Sequence, residues 1–129
     1  MAGKDKKQES CTSGEAPNVV LACSGASDVG EITDLAARKL AAEGVATMLG
    51  LAGISGRVSG IVASAKAAPA RLAIDGCPVD CARKILEQAD LGKFEHLRLS
   101  DLGMERGESP ITDARIKKVV NCARTRLGG

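Results

Sequence analysis

Aromatic side chains are almost absent from this sequence. Its 129 residues include one Phe and neither Trp nor Tyr, so a core must be built from Ala, Val, Ile and Leu. The scarcity of rings argues against a protein that binds single-stranded nucleic acid by stacking bases on aromatic side chains. The 18 basic and 16 acidic residues are interleaved, which leaves no basic patch for a nucleic acid partner.

Long apolar runs are missing as well. No segment approaches the roughly 18 apolar residues that a membrane-spanning helix needs. The Lys-rich start, MAGKDKKQES, lacks the apolar stretch of a signal peptide. We therefore expect a cytoplasmic protein without a membrane partner. Thiols stay reduced in the cytoplasm, and five cysteines cannot all pair within one chain. Free thiols or thiolate metal ligands are the expected state of these side chains.

The alternation of apolar runs and amphipathic segments predicts a three-layer α/β fold. We predict a polar tail over residues 1–16 and a single domain over residues 17–129. Strands that are apolar throughout are typical of a small parallel sheet with helices on both faces, and we predict the strand order 2-1-3-4. The predicted strands are residues 18–25, 45–53, 71–76 and 94–100, and the predicted helices are residues 27–44, 54–68, 77–90 and 109–127.

Two of the predicted helices begin with sequence patterns that are typical of a helix N-terminus. Asp28, with Glu31 three residues later, resembles a capping box at the start of the first helix. Pro78 stands where proline suits the first turn of a helix that begins at Cys77.

Three cysteines are expected at one edge of the sheet. In a doubly wound fold the first and third strands are neighbours, and ligands bind in the crevice outside their carboxyl ends. Cys23 ends the first predicted strand, Cys77 follows the third, and Cys81 lies one turn into the next helix. Zinc binds deprotonated thiols in a tetrahedron. The convergence therefore predicts a thiolate zinc site.

The fourth ligand of such a site has two candidates. Cys11 precedes the first strand, so the chain must run back along the sheet, and six extended residues reach roughly 20 Å. Cys122 lies well inside the last helix, roughly 18 Å from the crevice by the rise of a helix. These distances favour Cys11, and we interpret Cys122 as a partly buried helix residue.

Several motifs resemble one known family. The segments ACSGASDVGEITDLAARKLAAEG, LAGISGRVSGIVASAKAA, IDGCPVDCARK and LRLSDLGMERGESP are similar to those of the DGC-domain family, named for the Asp-Gly-Cys at residues 75–77. The resemblance covers roughly residues 17–120. It implies a zinc-binding protein with four chelating cysteines, here Cys11, Cys23, Cys77 and Cys81. It implies no particular task.

Other uses of the same residues remain as alternatives. Cys77 and Arg83 have five residues between them, the spacing of the phosphate loop of cysteine-dependent phosphatases and arsenate reductases. However, that loop would lack glycine, and it would place Asp80 where the anion should bind. An iron–sulfur cluster could also use four thiolates, but the usual tight cysteine spacing is absent. We interpret His96, the single histidine, as a half-exposed strand residue.

A site filled by four protein thiolates predicts a structural or metal-handling role, because catalytic zinc keeps an open position. This favours a role without catalysis but leaves the thiol-enzyme alternative open. If Cys11 does not complete the site, three fixed thiolates and a vacant position remain, which could exchange metal or bind a small ligand.

Overall fold

The computed structural model describes residues 16–128, which form a three-layer α/β fold. Its sheet has four parallel strands in the order β2-β1-β3-β4, which confirms the predicted fold class and order. The strands are β1 (Val19–Ala22), β2 (Thr47–Met48), β3 (Arg71–Asp75) and β4 (Glu95–Arg98). The helices are α1 (Asp28–Ala42), α2 (Leu51–Ser55), α3 (Ser59–Ala67), α4 (Cys81–Gln88) and α5 (Asp113–Arg126). A 3-10 turn, Leu99–Leu102, follows β4.

The sheet is covered on both faces by small apolar side chains. In β1, Val20 and Ala22 pack into a cluster with α1 and α5, whereas Val19 and Leu21 pack into a second cluster with α2, α3 and α4. This alternation follows from the two-residue period of a strand. None of the helices within residues 16–128 combines the length and apolarity needed to cross a bilayer.

The segment between β1 and β3 differs most from the prediction. The predicted strand 45–53 is reduced to the two residues of β2, and the predicted helix 54–68 is divided into α2 and α3. Arg57 has a left-handed backbone with φ of 59°, which interrupts the helical path between them. The Val58 amide returns to the Gly53 carbonyl at 2.9 Å. A Cβ on Gly53 would collide with the Ile61 side chain, so glycine at this position lets α3 pack against α2.

The start of α1 is capped by a different residue from the one predicted. Ser27, not Asp28, is the N-cap, and its hydroxyl accepts from the Gly30 amide at 3.1 Å. Asp28 instead accepts from the backbone amides of Gly107 and Ser109, each at 2.9 Å. These donors hold the pKa of Asp28 below its usual value. Asp28 therefore fastens the loop before α5 to the N-terminus of α1.

The hydrogen bonds from the Gly107 and Ser109 amides to Asp28 predict that part of the free energy of unfolding is lost in acid. We expect Asp28→Asn to unfold at lower denaturant at neutral pH, because the carboxylate that accepts both amides is lost. The native pKa is lowered, so this stabilisation is present above the ordinary aspartate pKa and is lost as pH falls through the native value. Urea unfolding across the acid range should show the variant and the wild type converging.

Asp113→Asn is the matched control for that series. Asp113 is also the first residue of its helix, after the N-cap Thr112, so it experiences a comparable helix dipole. A loss of stability equal to that of Asp28→Asn would show that the dipole, rather than the long-range attachment, is responsible.

Candidate metal centre

A cleft of about 290 Å³ lies at the carboxyl ends of β1 and β3, and Cys23, Cys77 and Cys81 all line it. Cys23 directly follows β1, and its amide donates to the Ile74 carbonyl at 3.0 Å, so it extends the β1–β3 ladder by one residue. Cys23 and Cys77 are half-buried, and Cys81 is exposed. The structure thus brings together three of the four cysteines that the sequence singled out.

The N-terminus of α1 packs closely against the two cysteine-bearing loops. A Cβ on Gly30 would lie 2.5 Å from the Gly25 carbonyl oxygen. A Cβ on Gly76 would lie 2.8 Å from a methyl group of Val29. Real Cβ atoms do not approach so closely, so both positions require glycine. The glycines therefore draw both loops against the N-terminus of α1.

The loop between the two neighbouring cysteines does not have the predicted form. The helix begins at Cys81 rather than at Cys77, and Pro78 and Val79 form a turn before it. Asp80, the N-cap, has a left-handed backbone with φ of 58°, and its amide donates to the Cys77 carbonyl at 3.2 Å. Cys77 therefore stands in a turn, and only Cys81 belongs to the first turn of α4.

The N-terminus of α4 is neutralised by a side chain from the sheet. Asp75, which is 1% exposed, accepts from the amides of Ala82 at 2.8 Å and Arg83 at 3.0 Å. Its carboxylate also contacts His96 Nε2 at 2.9 Å. The amides that would hold an oxyanion in a phosphatase loop are thus already bound to a carboxylate. The structure gives no support to the phosphatase or arsenate-reductase interpretation of Cys77 and Arg83.

A second group of ligand-type side chains lies beneath this loop. Oxygen or nitrogen atoms of Asp75, Asp80 and His96 all lie within 4.8 Å of one another. However, Arg98 Nε donates to Asp80 at 2.8 Å, and a second guanidinium nitrogen of Arg98 donates to the other oxygen. Arg98 lowers the pKa of Asp80, and Asp80 raises the pKa of Arg98. Because a guanidinium already supplies the positive charge, this group serves best as a link between β4 and α4.

Sequence reasoning missed that group. The expectation of a partly exposed strand residue holds for His96, which lies in β4 with a side chain 19% exposed. The contact of its Nε2 with Asp75 at 2.9 Å was not predicted. The partners are 21 residues apart in the chain, so no local pattern joins them. An aspartate at the end of a buried strand was the available indication, since a buried carboxylate needs partners.

The three sulfurs are more widely spread than the Asp75–Asp80–His96 group. Within residues 16–128, that group is the one set of three whose ligand atoms all lie within 4.8 Å of one another. Sulfurs of a tetrahedral zinc site are about 3.8 Å apart, given bonds of about 2.3 Å. Rotation about χ1 moves a cysteine sulfur by roughly 3 Å. Thiols are a donor type that zinc binds, and these three sulfurs would have to come closer together to form a tetrahedral site.

Positive charge is also present in the cleft. Arg106 lines it together with the cysteines, and Arg106 immediately precedes Gly107, whose amide is bound by Asp28. The Ser109 hydroxyl accepts from the Glu105 amide at 2.8 Å, which closes the same loop. The hydrogen bond between Asp28 and the Gly107 amide therefore holds the neighbouring Arg106 beside the cysteines.

Cys122, the other cysteine within residues 16–128, does not line this cleft. Cys122 is half-buried on α5 and packs against the core cluster formed with α1, in agreement with its interpretation as a helix residue. The prediction for Cys11 falls outside the residues that the structure describes.

Comparison with known proteins identifies the family of this chain. A family model described as the DGC domain matches residues 19–123. The chain belongs to the DGC-domain family. A Pseudomonas aeruginosa protein, described as "Anaerobic and virulence modulator AnvM", is 34% identical over 88 residues, which are 68% of this chain and 67% of the relative. No solved structure matches. The family resemblance inferred from the motifs is confirmed.

The close approach of α1 to the cleft loops can be tested by adding one methyl group. We expect Gly30→Ala to lower the free energy of unfolding by about 1–3 kcal/mol, as overpacking does in other cores, because its Cβ meets the Gly25 carbonyl. Gly60→Ala in α3 is the matched control, since nothing lies within 4 Å of its Cβ position. There we expect a gain of about 0.5–1 kcal/mol from helix propensity. Equal effects in urea unfolding would contradict the packing argument.

Proposed function

We propose that this DGC-family protein binds one zinc ion through the thiolates of Cys23, Cys77, Cys81 and Cys11. The observation that carries the proposal is the shared cleft of three cysteines from separate parts of the chain. Thiolates are soft ligands that select zinc over the hard divalent cations. Reduced thiols that are not needed for disulfides suit this use.

The surroundings of the cleft favour a negatively charged centre. A zinc ion with four thiolates is anionic, and Arg106 lines the same cleft. Ser27, Val29 and Gly30, at the N-terminus of α1, also line it, and a helix N-terminus stabilises negative charge. In contrast, the N-terminus of α4 is already bound to Asp75, so it contributes less.

The role that this site supports best is structural or metal-handling. Four protein ligands leave no open position for a substrate or a water molecule. The name of the P. aeruginosa relative describes a modulator of anaerobic life and virulence, which favours a regulatory task over catalysis. Zinc binding would hold the loops after β1 and β3 together and thus couple metal content to the shape of this edge of the sheet.

Metal content and ligand identity can be tested together. We expect about one zinc per chain after purification under reducing conditions, and loss of most of it in Cys23→Ser, Cys77→Ser and Cys81→Ser, because serine is a poor zinc ligand. Elemental analysis gives the stoichiometry. Cobalt substitution should give a sulfur-to-metal charge-transfer band that the three variants lose or weaken.

Two further variants separate this centre from other sites. Cys122→Ser removes a half-buried cysteine outside the cleft, and it should retain zinc. His96→Gln breaks the Asp75–Asp80–His96 group and should retain the cobalt charge-transfer band. Absence of zinc from the wild type, or equal loss in Cys122→Ser, would contradict the proposed site.

Cys11 needs a test of its own. We expect Cys11→Ser to weaken zinc binding by at least about tenfold, since even partners outside the ligand set change metal affinity by about 10–100-fold. Competition with a chromophoric chelator measures the affinity, and Cys122→Ser again serves as the reference. An unchanged affinity would remove Cys11 from the ligand set and leave a site with three fixed thiolates.

A further inference from the structure

The Thr33 hydroxyl lies directly behind Cys23 and is completely buried. Thr33 belongs to α1 and is 0% exposed. Its Oγ1 accepts from the Ser24 amide at 3.1 Å and donates to the Gly30 carbonyl at 2.7 Å. The same oxygen lies 3.5 Å from the Cys23 sulfur. This buried hydroxyl therefore contacts both the backbone and the sulfur of Cys23, a candidate metal ligand.

The number of bonds that a hydroxyl can make limits how Thr33 can contact the Cys23 sulfur. A threonine hydroxyl has one proton to donate and two lone pairs to accept. Its proton reaches the Gly30 carbonyl, and one lone pair takes the Ser24 amide. The second lone pair is available to the Cys23 sulfur, and because the hydroxyl can rotate, either atom can be the donor in that contact.

A sulfur bound to a metal ion has no proton to donate. In that state the Thr33 hydroxyl can contact Cys23 only as the donor. Rotation of the hydroxyl about its C–O bond moves its proton from the Gly30 carbonyl to the sulfur without displacing any heavy atom. The Gly30 carbonyl retains the backbone amide four residues later in α1 as its partner, so it is not left unpaired.

We propose that Thr33 is a positioning residue whose buried hydroxyl, 3.5 Å from the Cys23 sulfur, holds that sulfur in the cleft by a hydrogen bond. Where zinc is concerned, this inference rests on the proposed function, because zinc binds the deprotonated sulfur. Within residues 16–128, no comparable side-chain hydrogen bond reaches Cys77 or Cys81, whereas Cys23 has this partner. Thr33 therefore makes Cys23 the preorganised ligand of the cleft.

A pair of substitutions separates the hydroxyl from the shape of the side chain. Thr33→Val keeps the shape and removes the oxygen, whereas Thr33→Ser keeps the oxygen and removes a methyl group. We expect Thr33→Val to weaken zinc binding by about tenfold, in the range found for hydrogen-bond partners of metal ligands. We expect Thr33→Ser to remain within about threefold of the wild type. Chelator competition measures both affinities, and equal losses in the two variants would overturn the proposal.

Cobalt-substituted protein provides a readout that a purely structural role would not move. A hydrogen bond stabilises the sulfur lone pair, so its loss should shift the sulfur-to-cobalt charge-transfer band to longer wavelength in Thr33→Val. In a Cys23→Ser background the same substitution should produce no further change in affinity. A full tenfold loss in that background would show that Thr33 acts on the fold and not on the sulfur.

A metal-free measurement distinguishes failure of this inference from failure of the zinc proposal. If the wild type binds no zinc, the zinc proposal fails, and the role of Thr33 is judged on the alkylation of Cys23. Iodoacetamide reacts with the thiolate, and mass spectrometry follows the Cys23 peptide at a fixed pH. Slower alkylation of Cys23 in Thr33→Val than in Thr33→Ser supports the inference, and equal rates overturn it.

Discussion

The close packing of the N-terminus of α1 against the loops after β1 and β3 is the constraint on which the site depends. Gly30 and Gly76 make this possible, because a side chain at either position would collide with the Gly25 carbonyl or with Val29. The parallel order of the sheet places β1 beside β3, but that order alone would leave a wider crevice. With the glycines, the two loops meet one helix end, and their cysteines line one cleft.

The two helix N-termini near this cleft are used differently. At α4, the buried Asp75 accepts from two amides and so satisfies the helix end with a fixed carboxylate. At α1, Ser27 caps the helix, and Asp28 binds the loop that carries Arg106. An anionic group bound in the cleft would therefore be matched by Arg106 and by α1 rather than by α4. The α4 end is closed to the phosphate of a phosphatase loop, whereas the α1 end remains open to negative charge.

The sequence was sufficient to predict the strand order of the sheet and the three cysteines at one of its edges. Both predictions follow from the apolar run that marks each strand. Apolar runs indicated the strands, and their parallel order placed Cys23 near Cys77. The start of α4 was misplaced because the left-handed Asp80 is stabilised by Arg98, which is 18 residues away. Thr33 was missed for a related reason. It appeared as an ordinary residue of an amphipathic helix, and only the fold places its hydroxyl behind Cys23.

The Asp75–Asp80–His96 group is better understood as a support for the cysteine cleft than as a rival to it. Asp75 is buried and ends β3, so its bonds to Ala82 and Arg83 fix the first turn of α4 against the sheet. Arg98 on β4 holds Asp80 on both carboxylate oxygens, which stabilises the left-handed residue between Cys77 and Cys81. A cation placed among these carboxylates would compete with Arg98 and would release the loop. Asp75 and Asp80, which resemble part of a metal site by distance, therefore hold in place the loop that carries Cys77 and Cys81.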